Sequence, residues 1–304
     1  MKRLIACVSL SLLSVFTFSQ QTYFHITGKI IDETSGQSLQ AASVFAQNTT
    51  FGTATDANGN FDLRLPSGGY DLIVTFTGYE TESRRISSSD NDNRSLIITM
   101  KQKDKAMEAV AIVASNEVKN GWEQYGDFFT ENFIGKTENS KSCVIKNNNA
   151  LKFYYSKRKN RLKVLASEPI EIENKALGYN IKYTLDSFTY EYATQVAVFS
   201  GYPLFEEMTT DNAAVSAVWK DNRKNAYKGS ILQFMRSIYQ QKLKEDGYEI
   251  QFVINSNDYE KSITLKDFYK AINYKKDDST QTVTFLPNQE NIAVIYKNAA
   301  PDKL

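Results

Sequence analysis

The chain has 304 residues and an almost even charge balance, 36 basic side chains against 35 acidic ones, for a formal net charge of +1. That balance excludes the basic excess of a nucleic-acid binder and the polyacidic tail of a solvating segment. A single histidine and two cysteines rule out the multi-histidine sites of ordinary zinc peptidases and any disulfide framework.

The first nineteen residues, MKRLIACVSLSLLSVFTFS, have the organisation of a secretory signal. Lys2 and Arg3 open it, Leu4 to Phe18 form an apolar run, and Thr17-Phe18-Ser19 supplies a small-x-small cleavage site, with cleavage expected after Ser19. Leu4-Ile5-Ala6-Cys7 has lipobox character, but almost no hydrophobic segment precedes the cysteine, so no lipid anchor is expected. Cys7 leaves with the signal, and Cys143 is then without a partner in the chain. Processing leaves 34 basic residues against 35 acidic ones. No later run approaches the roughly 20 apolar residues of a membrane helix. The mature chain is therefore expected to be exported, in the periplasm or associated with the outer membrane, with no transmembrane segment.

From Thr22 to Lys101 the pattern is of short strands at close intervals: YFHITGKIID, AASVFAQ, GTATD, NFDLRL, YDLIVTFTGYETESRRI divided near Gly78, and SLIITMK. Turn signals fall at Thr34–Gly36, Asn58-Gly59 and Pro66–Gly69. This spacing predicts a single β-sandwich whose core is Ile26, Ile30, Val44, Phe45, Phe61, Leu63, Leu72, Val74, Phe76, Ile97 and Met100. Within it, TDANGNFDL alternates acidic and amide side chains as the opening of a calcium loop does. An EF-hand loop needs glycine at its sixth position and glutamate at its twelfth; counting from Asp56 these are Phe61 and Ser67. The stretch therefore reads as scaffold, a β-hairpin with a type I′ turn at Asn58-Gly59.

The order G-K-I-I-D, A-A-S-V-F-A, G-T-A-T-D-A-N-G-N-F and G-G-Y-D-L-I-V-T-F-T-G-Y resembles the carboxypeptidase regulatory-like domain. The resemblance runs from Phe24 to about Lys101. It implies a transthyretin-like β-sandwich, common in exported proteins of Bacteroidetes-type bacteria. In carboxypeptidases this domain is an appendage without catalytic zinc, so the resemblance implies no activity.

Residues 102–120 read as a linker. Met107, Glu108, Val110 and Ile112 lie in a stretch, MEAVAIVA, that resembles the short segment following this domain in TonB-dependent outer-membrane receptors. It either pairs with a partner's sheet edge or closes one of the flanking sheets. No plug sequence and no array of barrel strands follows it.

Residues 121–304 form the second unit. Trp122, Tyr125, Phe128, Phe129 and Phe133 recur at helical spacing up to Gly135. Strands are expected at ALKFYYS, RLKVLAS, PIEIEN, YNIKYTLDSFTYEY and TQVAVFSGY. One long helix is expected from Val218 to Gly247, striped by Ile231, Phe234, Met235, Ile238 and Leu243 and capped by Gly247. YEIQFVIN, TVTFLP and NIAVIYKN return to strand, with ITLKDFYKAI a short helix. This unit resembles exported Bacteroidetes proteins of unknown function that carry a regulatory-like domain at the N-terminus. The expected fold is mainly β, α+β in class: a seven-stranded transthyretin-like sandwich followed by an α+β domain with one long helix.

No catalytic set emerges. His25 lies on the first strand, and Cys143 has no histidine near it in sequence, which favours a packing role. Glu171 and Glu173 alternate with Ile170 and Ile172, so with Glu168 they read as a solvated strand face. The run Lys157, Arg158, Lys159, Asn160, Arg161 joins two strands as a charged hairpin tip that can meet phosphate, lipopolysaccharide or an acidic partner. Trp122 and Trp219 read as packing residues. The sequence thus predicts a non-catalytic interaction module with no cofactor and no metal, bound to an envelope or outer-membrane protein. Met107, Glu108, Val110, Ile112, Lys157, Arg158, Lys159 and Arg161 are its candidate partner contacts. The alternatives are a glycan- or peptide-binding protein for uptake or adhesion, and a carboxylate-dependent hydrolase.

Overall fold

The computed structural model describes residues 22–89, 95–103, 116–256, 259–278, 282–289 and 291–299. The signal segment, Cys7 and the 107–114 stretch lie outside the described residues. Among the described residues strand is the main regular structure, with four α-helices among eighteen strands.

Seven strands build the N-terminal sandwich. β1 (Tyr23–Asp32), β4 (Asn60–Pro66) and β7 (Leu96–Met100) form one sheet in the order β4-β1-β7, and β1 runs parallel to β7. β2 (Ser43–Ala46), β3 (Gly52–Ala54), β5 (Gly69–Thr75) and β6 (Glu82–Ser87) form the other, in the order β3-β2-β5-β6. Alternation places Ile26, Ile30, Phe61, Leu63, Leu65, Leu72, Val74 and Met100 between the sheets, where each is under 5 % exposed. Each such side chain contributes about 1.5–3 kcal/mol of burial. Ile97, expected in this core, is 66 % exposed, and Ile98 takes the inward position. With a side-chain period of two, an inward Met100 brings Ile98 and Leu96 inward and turns Ile97 out. Phe45 and Ile73 are buried on the outer face of the second sheet. There the sandwich meets the next unit, since a Cβ on Gly52 would lie 3.0 Å from Phe45 Cβ and 3.1 Å from Leu204 Cδ1.

The Asn58-Gly59 turn differs from expectation. β3 and β4 belong to different sheets, so the turn carries the chain across the sandwich rather than closing a hairpin. Of its two central residues only Gly59 has positive φ, at 77°, so the turn is not type I′. The Asp56 carboxylate sets its shape by accepting the N–H groups of Asn58 and Asn60, each at 2.8 Å. That side chain is pinned within its own turn, and these bonds hold its pKa below the usual carboxylate value.

After the sandwich, α1 (Gly121–Phe133) packs on a six-stranded sheet of β8 (Cys143–Ile145), β9 (Leu151–Ser156), β10 (Arg161–Ala166), β11 (Ile170–Asn174), β12 (Tyr179–Glu191) and β13 (Val196–Glu207). β12 is the spine. Its first half pairs with β11, its second half with β10, and β13 runs along its other edge. Phe129 of α1 is fully buried and meets Phe153 and Phe188 edge to face, at 6.0 and 4.9 Å between ring centres.

The helical region from 213 is broken in two. α2 (Ala213–Tyr227) and α3 (Ile231–Tyr239) are separated at Gly229, whose φ is +72°. Ser230 then caps α3 by accepting the Gln233 N–H. The single helix expected from Val218 to Gly247 is thus corrected at both ends of its stripe: the chain turns after Tyr239, and Leu243, although fully buried, lies beyond the helix. β14 (Tyr248–Ser256), β15 (Tyr259–Thr264) and β18 (Asn291–Tyr296) form a three-stranded sheet. α4 (Phe268–Ala271) and the β16 (Lys275–Asp277)–β17 (Thr282–Thr284) pair complete this region. Ile238, Leu243, Tyr248, Ile250 and Ile272 make its own buried cluster, apart from the one under α1.

Candidate functional site

The β9–β10 hairpin presents the basic tip. Lys157, Arg158 and Lys159 are exposed, and among the described residues none is joined to a carboxylate. The tip is held in shape from beneath. Asn160 adopts a left-handed conformation with φ 46°, accepts the Tyr155 hydroxyl at 2.9 Å on its side chain, and accepts the Tyr192 N–H at 3.1 Å on its carbonyl. Arg161 is placed differently, directed across the sheet to the carboxylate of Glu191 and only part-exposed. Two further cations missed in the sequence share this hairpin: Lys152 on β9 and Lys163 on β10. Strand alternation turns both away from the α1 face, a signal legible only once the Lys163↔Tyr154 and Leu165↔Lys152 register is known.

Beside the tip lies a group of half-buried rings. Tyr155 and Tyr192 meet edge to face at 6.0 Å, Tyr125 stacks on Tyr155 at 6.3 Å, and Phe128 stacks on Tyr192 at 5.7 Å. Burial among these rings raises the Tyr192 phenol above its ordinary pKa.

Met107, Glu108, Val110 and Ile112 lie outside the described residues. Their flanks are fixed: Lys103 donates its N–H to the Gly78 carbonyl at 2.9 Å, and Glu117 forms an antiparallel bridge with Tyr154 of β9.

Most of the ionisable groups weighed for catalysis pair with neighbours in the scaffold, while Glu171 lies exposed on its strand. His25 is exposed and faces Asp62 at 3.2 Å. Glu173 sits 3.7 Å from both Lys146 and Lys175, and Glu168 contacts Asn147. The Cys143 thiol is part-buried against the α1 cluster, its Sγ 3.6 Å from the Asn139 carbonyl oxygen, and burial raises its pKa. Among the described residues no group of three or more histidine, cysteine or acidic side chains is arranged to hold a metal ion. Trp122 packs against Phe153, and Trp219 donates its indole N–H to the Lys175 carbonyl.

A cleft of about 320 Å³ opens where the sandwich meets the six-stranded sheet. Its polar lining includes Thr75, Thr77, Lys103, Ser167, Glu168 and Thr184. No sequence motif announces it, because its two walls come from segments about a hundred residues apart.

The profile of the CarboxypepD_reg-like domain matches residues 26–112. This part of the chain is a carboxypeptidase regulatory-like domain. A stretch of 119 residues, 39% of the chain, is 29% identical to the TonB-dependent receptor SusC of Bacteroides thetaiotaomicron. Another of 116 residues, 38% of the chain, is 27% identical to a TonB-dependent receptor of Formosa agariphila. The chain spans only 11% of the length of either receptor. Among solved structures, a DUF3823 family protein from Bacteroides ovatus overlaps 62% of the chain and 83% of its own at 10% identity and a TM-score of 0.20. A 3-chlorocatechol 1,2-dioxygenase from Rhodococcus opacus overlaps 28% and 62% at 13% identity and a TM-score of 0.22. Likenesses so loose say nothing about function. The matched residues hold the Asp32 network, whereas the basic hairpin lies wholly outside them, in residues 151–166.

Proposed function

We propose that this chain is a non-catalytic protein of the bacterial cell envelope that acts by binding a protein partner, as an accessory subunit of an outer-membrane transport or assembly complex. The observations that carry this reading are the carboxypeptidase regulatory-like match and the local similarity to two TonB-dependent receptors. The signal-like first nineteen residues support export, and the use of the ionisable side chains as scaffold supports a binding rather than a chemical role. Met107, Glu108, Val110 and Ile112 are the proposed partner contacts, because their sequence resembles a segment that would add to a partner's sheet edge by offering it backbone groups.

A tagged pull-down from gently solubilised envelope, with mass spectrometry of what co-purifies, tests the proposal. A near-stoichiometric outer-membrane protein is expected, and deleting Met107–Ala114 should release it while both folded parts stay intact. Recovery of the protein alone would overturn the reading. The cleft at the sandwich junction favours one second reading, a binder of a small polar ligand such as a glycan or peptide, since pockets of roughly 300 Å³ and above with convergent polar groups take such molecules. Ligand-induced protection of Lys103 and Glu168 from chemical labelling would distinguish it.

A further inference from the structure

The protein is close to neutral as a whole, yet one hairpin is not. Residues 151–166 contain six basic side chains, Lys152, Lys157, Arg158, Lys159, Arg161 and Lys163, and no acidic one. Only Arg161 is neutralised, by Glu191 from β12. Among the described residues the other five face no carboxylate within ion-pair distance. Three of them, Lys157, Arg158 and Lys159, crowd the exposed turn, where their fields add, while Lys152 and Lys163 lie back along the strands with Glu117 on the neighbouring edge.

We propose that the β9–β10 hairpin docks the protein on an anionic lipid surface, its cations meeting lipid phosphates. The inference takes its setting from the envelope reading above and its chemistry from the charge geometry. Three features favour a lipid surface over an acidic protein. The tip residues Lys157 to Asn160 include no apolar or aromatic side chain, so the tip lacks the desolvated anchor that dominates protein–protein contacts. Lysines prevail over arginines, giving point charges suited to a diffuse layer of phosphates rather than to planar bidentate pairing. The half-buried phenol rings of Tyr155, Tyr192 and Tyr125 lie beside the tip, and tyrosine is a residue of the membrane–water interface. The fixed turn beneath the tip also means that little order is lost on docking.

The test is co-sedimentation of the purified chain from Gln20 onward with phosphatidylcholine vesicles and with vesicles containing about a third phosphatidylglycerol. Binding is expected only to the anionic vesicles and should vanish near 1 M salt, where the screening length is about 3 Å. K157Q/R158Q/K159Q should weaken partitioning by roughly a hundredfold, taking about fivefold per basic residue. K220Q/K266Q/K270Q, which removes exposed charges elsewhere, should leave it unchanged, and the melting curve of each variant checks its fold. The proposal is overturned if wild-type protein stays in the supernatant with anionic vesicles, or if the hairpin variant partitions equally well. A hairpin variant that loses a protein partner in the pull-down while wild type ignores vesicles would assign the tip to an acidic protein instead, leaving the accessory-subunit reading intact. Vesicle binding with no partner in the pull-down would separate the two claims in the opposite direction.

Discussion

Tyr79 donates its phenolic hydrogen to the carboxylate of Asp32 at 2.7 Å across 47 residues of sequence. Asp32 ends β1, is 3 % exposed, and also accepts the N–H groups of Thr34 and Ser35, the Ser35 hydroxyl and the Gln102 side-chain amide. A buried carboxylate is tolerated only when its lone pairs are filled in this way. The network ties the end of β1 to the loop beyond β5 and to the exit from β7.

The hydrogen bonds to Asp32, led by the Ser35 N–H and then Tyr79, hold its pKa well below the usual carboxylate range. A depressed pKa contributes stability that is complete above the unfolded value, near 4, and fades as pH falls through the folded one. Tyr79→Phe should therefore lower the melting temperature by several degrees at neutral pH, and the gap to wild type should narrow below about pH 4. A gap independent of pH across that range would refute the charge-based account.

Gly59 has φ +77°, and a Cβ there would stand 2.7 Å from the Ile30 carbonyl oxygen. Gly36 has a similar φ, +67°, but no atom within 4 Å of the added carbon. Gly36→Ala is expected to cost about 1 kcal/mol from backbone conformation alone, and Gly59→Ala at least about twice that, because the clash adds to it. Denaturant titration of the two variants measures the difference, and equal costs would show that the turn relaxes freely.

Arg223 of α2 donates to the carbonyls of Leu177 and Gly178 at 2.6 and 2.8 Å, pairs with Glu207 and lies over the Tyr179 ring at 3.9 Å. With Trp219 on Lys175 and Asn222 on Ala176, four successive carbonyls of the β11–β12 turn are bound by one helix. Arg223→Lys should cost about 2 kcal/mol, since an ammonium cannot reproduce the fork. Limited proteolysis should then cut within 208–230 faster than in wild type; an unchanged cleavage pattern would mean that α2 is held by other contacts.

Cys143 should react with iodoacetamide several-fold more slowly in the native protein than in urea at the same pH, because burial disfavours its thiolate. Equal rates would place the thiol in solvent and remove its packing role.

The sandwich was legible because its signals are local. β1 follows from the alternation of YFHITGKIID and is reproduced residue for residue as Tyr23–Asp32. The pairing of strands was not legible, since TDANGN looks the same whether the chain crosses between sheets or closes a hairpin. The long-helix expectation failed for a related reason. Ile231, Phe234, Met235 and Ile238 do share a helical spacing, but α2 docks through polar side chains that add nothing to an apolar stripe, and Lys228-Gly229-Ser230 holds a break followed by a cap. The basic tip was visible as a run, while the position of Lys152 and Lys163 back along the same hairpin followed only from the cross-strand register.

The parallel pairing of β1 with β7, from Gly28↔Leu96 to Asp32↔Met100, has a mechanical consequence. The start of β1 and the end of β7 leave the pair at opposite ends, so tension applied to the chain on either side of the sandwich slides the two strands along each other. The evenly spaced hydrogen bonds of a parallel ladder are then loaded together instead of being peeled apart one by one.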